Sequence, residues 1–424
     1  MSDASKREDG HSSPGDSIWG RAQNAADSIG ANRAVLALSV GRMGDAIGNS
    51  LLFVVIPLYV AKLPSQLLDL PNEVRTGIIL SLFGLLLGLL QPFGGVVVDR
   101  VGRRKPFIVG GLLVLAAATF SYTLVGQYDQ MLLSRAAQGI AAAITVPATL
   151  ALMANVSQQR TRGGSMGVFS SMRVVGLAIG PLLGGFLHQR FGFNAVFYAG
   201  TGFVLLGALV VQMVVEDVPA RNPDAELPSF RDQLKPPIVA LGMATFTMAS
   251  AFAMLSSLET QVNDRLQGTA LSFGIAFSAL MVSRLILQVP LGRWSDRTGR
   301  KPFIVTGLIL MTLATVPIGW VTSNWQLVAL RVGQGVASAA IAAPVFALAA
   351  DMTRAGGEGR HMSIVAMGFG LGIALGTLVA GVAAVVSFHL PFIIGGVLTL
   401  VAAGLVHWLV PRDPGQSGEA AGGS

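Results

Sequence analysis

The run GIILSLFGLLLGLLQPFGGVVV, Gly77 to Val98, contains no charged residue. A chain that carries such runs has few folds open to it. Inside a bilayer no water is available, so every backbone N–H and C=O must be satisfied within the chain. The apolar layer is about 30 Å thick, which a helix of roughly 20 residues crosses. Apolar stretches of this kind recur at roughly 34–61, 75–97, 106–125, 129–154, 164–187, 194–215, 237–260, 270–292, 303–322, 326–350, 362–386 and 389–410. Composition agrees. Hydrophobic residues make up 52% of the 424-residue chain and charged residues 12%, against about 25% charged in soluble proteins. The expectation is an all-α polytopic membrane protein with twelve transmembrane helices, its partner the lipid bilayer.

Several function classes are excluded early. There is no cysteine, hence no disulfide, no thiolate catalysis and no cysteine metal site. The five histidines are scattered, and no glycine-rich loop ends in Lys-Ser or Lys-Thr. No enzyme, metal site or cofactor is expected. The net charge of +7 invites a nucleic-acid partner, but basic residues also collect in cytoplasmic loops and set topology. With the N-terminus inside, the outer loops hold only Lys62, Arg75, Arg190 and Arg265, and nearly all other loop arginines and lysines fall inside. Both termini are therefore expected in the cytoplasm of a cell-membrane protein, with no nucleic-acid partner. Residues 1–32 read as a disordered tail, 33–216 as a first six-helix bundle, 217–236 as a charged, proline-containing linker, 237–411 as a second bundle and 412–424 as a second tail.

The two bundles repeat one another. VVVDRVGRRKPFIVGGL from Val96 returns as RWSDRTGRKPFIVTGL from Arg293, and LLSRAAQGIAAA from Leu132 as VALRVGQGVASAA from Val328. The offset is roughly 196 positions, and at the same offset Gly176, Gly180 and Gly185 map onto Gly372, Gly376 and Gly381. Parallel six-helix repeats form a known transporter architecture with its site between the halves.

These residues carry a family resemblance. Gly95-x3-Asp99-Arg100-x-Gly102-Arg103-Arg104-Lys105 resembles the signature loop between the second and third helices of the major facilitator superfamily. Gly292-x3-Asp296-Arg297-x-Gly299-Arg300-Lys301 resembles its second-half counterpart. Arg135-x2-Gln138-Gly139 is similar to the family's fourth-helix motif, and Gly176-x3-Gly180-Pro181-x2-Gly184-Gly185 to the fifth-helix motif associated with antiporters. The resemblance covers about residues 34 to 411 and is with drug:proton antiporters of the 12-helix type. It implies two pseudo-symmetric bundles working by alternating access, a proton gradient as energy source, and a small-molecule substrate. It also implies that the signature loops latch the halves on the cytoplasmic side when the transporter faces outward.

Physical chemistry gives these residues parts to play. Gly95 and Asp99 share a helix face, and Gly95 would let another helix approach. An aspartate at its own helix's C-terminus is disfavoured by the dipole, so Asp99 should gain from nearby arginines or another helix's N-terminus. Gly102 suits a tight turn. Gly176, Gly180 and Gly184 stack on one face, for close packing, and Pro181 would kink the helix; its second-half counterpart is Thr377.

Charges inside spans are rare and functional by default. Asp45 lies in GRMGDAIGNSLLFVVIPLYV, which resembles the first helix of drug exporters. Its carboxyl is the leading proton-coupling candidate, and the competing reading is a static pair with Arg42 or Arg135. The resemblance gives Arg135 a buried role in coupling or packing. Glu259 is either a second titratable group or a rim residue. Arg173 snorkels toward the interface or faces inward, and Arg284 lies near mid-span. Phe246, Met248, Phe252, Met254, Phe277 and Met281 are either cavity wall or core filler. Asn49, Gln91, Thr145 and Gln288 are candidate polar contacts.

The expected function is proton-coupled export of small lipophilic or cationic compounds by a monomer. A proton-coupled uptake symporter for a metabolite, and a lipid translocator, are the alternatives.

Overall fold

The computed structural model describes residues 31–65, 70–157, 161–217, 235–352 and 358–411. All regular structure among them is helical. The first half comprises α1 (Arg33–Val60), α2 (Asn72–Val101), α3 (Lys105–Ser121), α4 (Tyr128–Val156), α5 (Arg162–Phe191) and α6 (Phe193–Val214). The second comprises α7 (Pro236–Leu266), α8 (Ala270–Thr298), α9 (Arg300–Trp320), α10 (Asn324–Asp351), α11 (Glu358–Val386) and α12 (Leu390–Leu409). Eleven of these are long and apolar enough to cross a membrane, and α3 is an apolar helix of 17 residues. A 3₁₀ turn, Met254–Leu258, interrupts α7, and another, Val316–Trp320, closes α9. Large apolar side chains such as Phe93, Leu133, Ile286, Leu313 and Trp408 stand exposed around the bundle, the surface a bilayer would cover.

The first and last described residues, Ala31 and Pro411, and both repeated turns lie at one end, here termed the turn end. Asn32, which caps α1 by accepting from the Val35 N–H (2.9 Å), also donates to the Val156 carbonyl at the end of α4 (2.8 Å). Lys105 and Lys301 make matching ties: the first donates to the Gln212 carbonyl, the second to that of Val410. Helices α2 and α8 run past the expected 97 and 292 to Val101 and Thr298. Asp99 and Asp296 therefore ride on helical last turns. Gly102 (φ 73°) and Gly299 (φ 102°) then end those helices in conformations that favour glycine.

The halves meet along α2 with α11 and α5 with α8. Glycines bring backbone onto backbone there, and the two lines of contact are copies. A Cβ on Gly185 would stand 2.4 Å from the Ala270 carbonyl oxygen, and one on Gly381 2.3 Å from that of Glu73. Likewise Gly274 meets the Pro181 carbonyl and Gly77 that of Thr377. At the far end a single apolar cluster joins both halves, from Ile47 and Phe53 to Phe277 and Phe392. Toward the turn end it gives way to two separate clusters, one per half. The bundle is thus fused at the far end and divided at the turn end. The linker and tails fall almost wholly outside the described residues.

Candidate functional site

Three side chains form a hydrogen-bonded clamp inside each half. Arg135 donates to Gln138 Oε1 (2.9 Å), and Gln138 Nε2 donates to Thr119 Oγ1 (2.9 Å). In the second half Arg331 donates to Gln334 Oε1 (2.7 Å) and Gln334 Nε2 to Thr315 Oγ1 (2.9 Å). Both arginines are 0% exposed. Each completes its surroundings with aromatic faces: Arg135 with Phe83 (4.7 Å), Arg331 with Phe277 (4.1 Å). Tyr122 donates to Gln138 as a further member of the first clamp, while Arg331 donates to the Phe252 carbonyl. Arg135 is thus held by neutral groups on α3 and α4. Of the two static pairs open to Asp45, with Arg42 or with Arg135, the one formed is with Arg42, three residues back on its own helix.

Gly176, Gly180 and Gly184 press α5 onto the backbone of α1 near Met43, Ile47 and Leu51, while Gly185 and Pro181 face α8 of the other half. Gly372 and Gly376 repeat the first contact on α7. Hydrogen bonds fix the register: Ser50 donates to the Gly176 carbonyl (3.2 Å) and Ser250 to that of Gly372 (2.9 Å). On this alignment Arg42 and Asp45 correspond to Gly242 and Thr245, so the charged pair belongs to one half alone.

The unmatched charges gather at the seam. Arg42, Asp45, Asn49 and Phe53 share one face of α1, and Phe277, Met281, Arg284 and Gln288 one face of α8. The faces run antiparallel. At their far-end limit Phe53 packs on Phe277 (6.3 Å, stacked) and Phe252 (5.6 Å, edge-on), closing the seam with aromatic rings. Nearer the turn end Arg284, 8% exposed, donates from Nε to Gln288 Oε1 at 3.4 Å. Arg173 on α5 lies 5.3 Å from the Phe369 ring on α11 and within electrostatic reach of Arg42, Asp45 and Arg284. Snorkelling is therefore not its arrangement; it reaches across the seam onto its own repeat mate. Gln91 lies half-buried one turn beyond Gly88 on the α2 face that meets α11, and Asn49 keeps an unpaired side-chain oxygen.

Other expected residues lie elsewhere. Phe246 lines a crevice of about 30 Å³ between α7, α11 and α12, with Ser250, Met254 and Gly376, away from the charged seam. That is room for about one water. Phe252, Phe277, Met254 and Met281 are buried in the fused far-end core, and Met248 in the second half's own cluster. Thr145 donates to the Ala141 carbonyl within α4. Glu259 is no rim residue. It is 0% exposed on the last turns of α7, and neither carboxylate oxygen makes a well-formed hydrogen bond, Asn263 one turn on being the polar side chain beside it. The 3₁₀ turn before it swings this stretch against α1, α2 and α11.

At the turns, Arg104 and Lys105 donate their backbone N–H groups to Asp217, and Arg104 reaches the Ala151 carbonyl. Arg300 pairs with Asp296 and Asp351. Arg100, Arg103 and Arg297 are exposed. The Asp99 side chain lies outside the described residues. The close approach expected at Gly95 is absent: a Cβ there would meet Pro147 at an ordinary 3.7 Å, and at Gly292 Ala343 at 3.7 Å. The tight glycine is its neighbour Gly94, against the Ala143 carbonyl. The halves hold separate apolar clusters toward this end, and the nearest side chain to Gly95 belongs to α4 of its own half.

The family model described as Major Facilitator Superfamily matches residues 38–263 and again 239–423. The chain belongs to the major facilitator superfamily. It is 29% identical over 301 residues to the multidrug resistance protein MdtG of Dickeya zeae, covering 69% of this chain and 73% of that protein. It is 24% identical over 359 residues to the synaptic vesicular amine transporter of Mus musculus, covering 83% and 69%. The crystal structure of a bacterial homolog of the human lysosomal transporter Spinster, in an inward-facing and occupied conformation, superposes with a TM-score of 0.72 at 16% identity, covering 88% and 95%. As a superfamily member the chain is a multi-pass membrane transporter.

The clamps could have been found from sequence. Thr119 with Thr315 and Gln138 with Gln334 keep the same offset as the arginines. Nothing comparable announces that Arg173 and Arg284 come within electrostatic reach of each other, since they belong to different halves and neither is repeated.

Proposed function

We propose that the protein is a proton-coupled, alternating-access exporter of small lipophilic compounds in the cell membrane, its turn end cytoplasmic. The observation that carries the reading is the division of the core. The halves share one apolar cluster at the far end and hold separate ones at the turn end, as a rocking two-half machine would when open on one side. The charge of the turn-end loops supports its cytoplasmic placement, and the likeness to MdtG supports export.

Two carboxyls serve the proton. Asp45 meets Arg42 at the seam, where taking a proton would release the arginine. Glu259 is buried with no cation and no well-formed hydrogen bond among the described residues, Asn263 alone lying beside it, and an ionised carboxylate in such a place is costly. A carboxyl that keeps its proton while buried and sheds it on meeting water moves protons as the halves rock. Proteoliposomes with an imposed pH gradient test this. Wild type should move substrate against its gradient, and Asp45→Asn and Glu259→Gln should retain downhill exchange but lose pH-driven accumulation. Undiminished pH-driven flux in both variants would overturn the assignment.

A further inference from the structure

The seam carries more positive charge than it neutralises. Asp45 is engaged by Arg42, which leaves Arg173 and Arg284 with no carboxylate of their own among the described residues. Arg284 is 8% exposed, and its one side-chain partner is a neutral amide oxygen at 3.4 Å. Arg173 rests on the face of Phe369 across the seam, in reach of Arg284 and Arg42. Like charges inside a membrane domain repel, and each costs solvation. Packing does not explain them. The clamp arginines do structural work through neutral partners and recur in both halves, whereas the repeat mate of Arg173 is Phe369 and that of Arg284 is Leu87. Each of the two arginines was therefore placed at the seam singly, from opposite halves, where only something between the halves can satisfy both.

We propose that the seam binds an organic acid. A carboxylate, sulfonate or phosphonate group would sit between Arg173 and Arg284, and the apolar body of the ligand against Phe369, on the turn-end side of the closed aromatic rings. Guanidinium forks match such oxyanions in both charge and geometry. Gln91, Gln288 and Asn49 supply uncharged polar contacts around them. The proposal rests on the transporter reading above and replaces its cationic alternative: an amine would meet two uncompensated guanidiniums and a carboxylate already occupied by Arg42.

Direct binding to the purified protein in nanodiscs, with no pH gradient, tests the substrate class apart from the coupling. The probes are 1-naphthalenesulfonate, its neutral sulfonamide and 1-naphthylmethylammonium. The sulfonate should bind at least tenfold more tightly than the other two. Arg173→Gln and Arg284→Gln should each weaken it tenfold or more, with Arg173→Lys and Arg284→Lys intermediate. Asp45→Asn should tighten it, because the neutral residue frees Arg42. That variant gives an answer of opposite sign, so misfolding of a glutamine variant leaves the test intact. Tighter binding of the ammonium, or sulfonate binding indifferent to all these changes, would overturn the proposal. Sulfonate binding as expected, without pH-driven flux in proteoliposomes, would leave it standing and overturn the coupling instead.

Discussion

The matched and unmatched arginines of this molecule do different work. Arg135 and Arg331 repeat in sequence, burial, partner and distance: each is wholly buried, tied to a glutamine three residues on and through it to a threonine on the preceding helix. Arg42, Arg173 and Arg284 have no such copies and collect where the halves face each other. A duplicated chain keeps in both copies what holds each bundle together. It is free to differ where the copies jointly make one site. Symmetry therefore separates the two kinds more cleanly than burial does: Arg284 is buried like the clamp arginines, whereas Arg42 and Arg173 are half-buried.

Cutting a clamp should have the largest effect on stability. Gln138→Ala leaves Arg135, Tyr122 and Thr119 without their shared partner, and a buried guanidinium so stripped costs on the order of 3 kcal/mol. Gln334→Ala should cost less, because Arg331 keeps the Phe252 carbonyl. Thermal unfolding in detergent measures both, and equal losses would break the sorting. Glycine-to-valine changes come next. At Gly176 and Gly372 a Cβ would stand 2.7 and 2.2 Å from a carbonyl oxygen, and overpacking of this kind costs about 1–3 kcal/mol. Matched losses are expected in the same assay. Glu259→Gln should leave stability unchanged or slightly raised, by less than about 1 kcal/mol, since it replaces an unsatisfied acid with a neutral amide; a large loss would mean that the carboxylate has a structural partner. Smallest is Gly95→Ala. Its nearest neighbour lies at 3.7 Å, so the shift should stay within about 0.5 kcal/mol. If the turn end closes onto this glycine, the same variant should favour the open state, readable as a change in distance between spin labels on the exposed Arg100 and Arg297 positions.

Much of the fold was legible in the chain. Apolar runs fix twelve spans to within a few residues, because length and hydropathy are local properties. The largest departures were Thr298 and Leu266, where helices continue into polar sequence that hydropathy alone would end. The glycine stack at 176, 180 and 184 was legible as a packing face, but its partner helix was not. Asp45 with Arg42 was readable as a three-residue spacing on one helix. Arg173 with Arg284 was not, because neither spacing nor composition reports which faces two separate bundles turn toward each other. Glu259 stood open between two readings, and only the turn of 3₁₀ helix before it decides that the side chain points inward.

One consequence follows from the glycine lines between the halves. Interlocked side chains must change rotamer and lose contact before two helices can shift, so such an interface resists motion. Here Gly77, Gly185, Gly274 and Gly381 lay main chain directly on main chain, and the surfaces are nearly smooth. Between described residues two hydrogen bonds cross from half to half, Ser278 to the Ala178 carbonyl and Gln261 to Glu73. At about 1 kcal/mol each, they are a light catch on what is otherwise a plain bearing. The pace of rocking in this protein should then be governed by the fastening at its ends rather than by friction along its length.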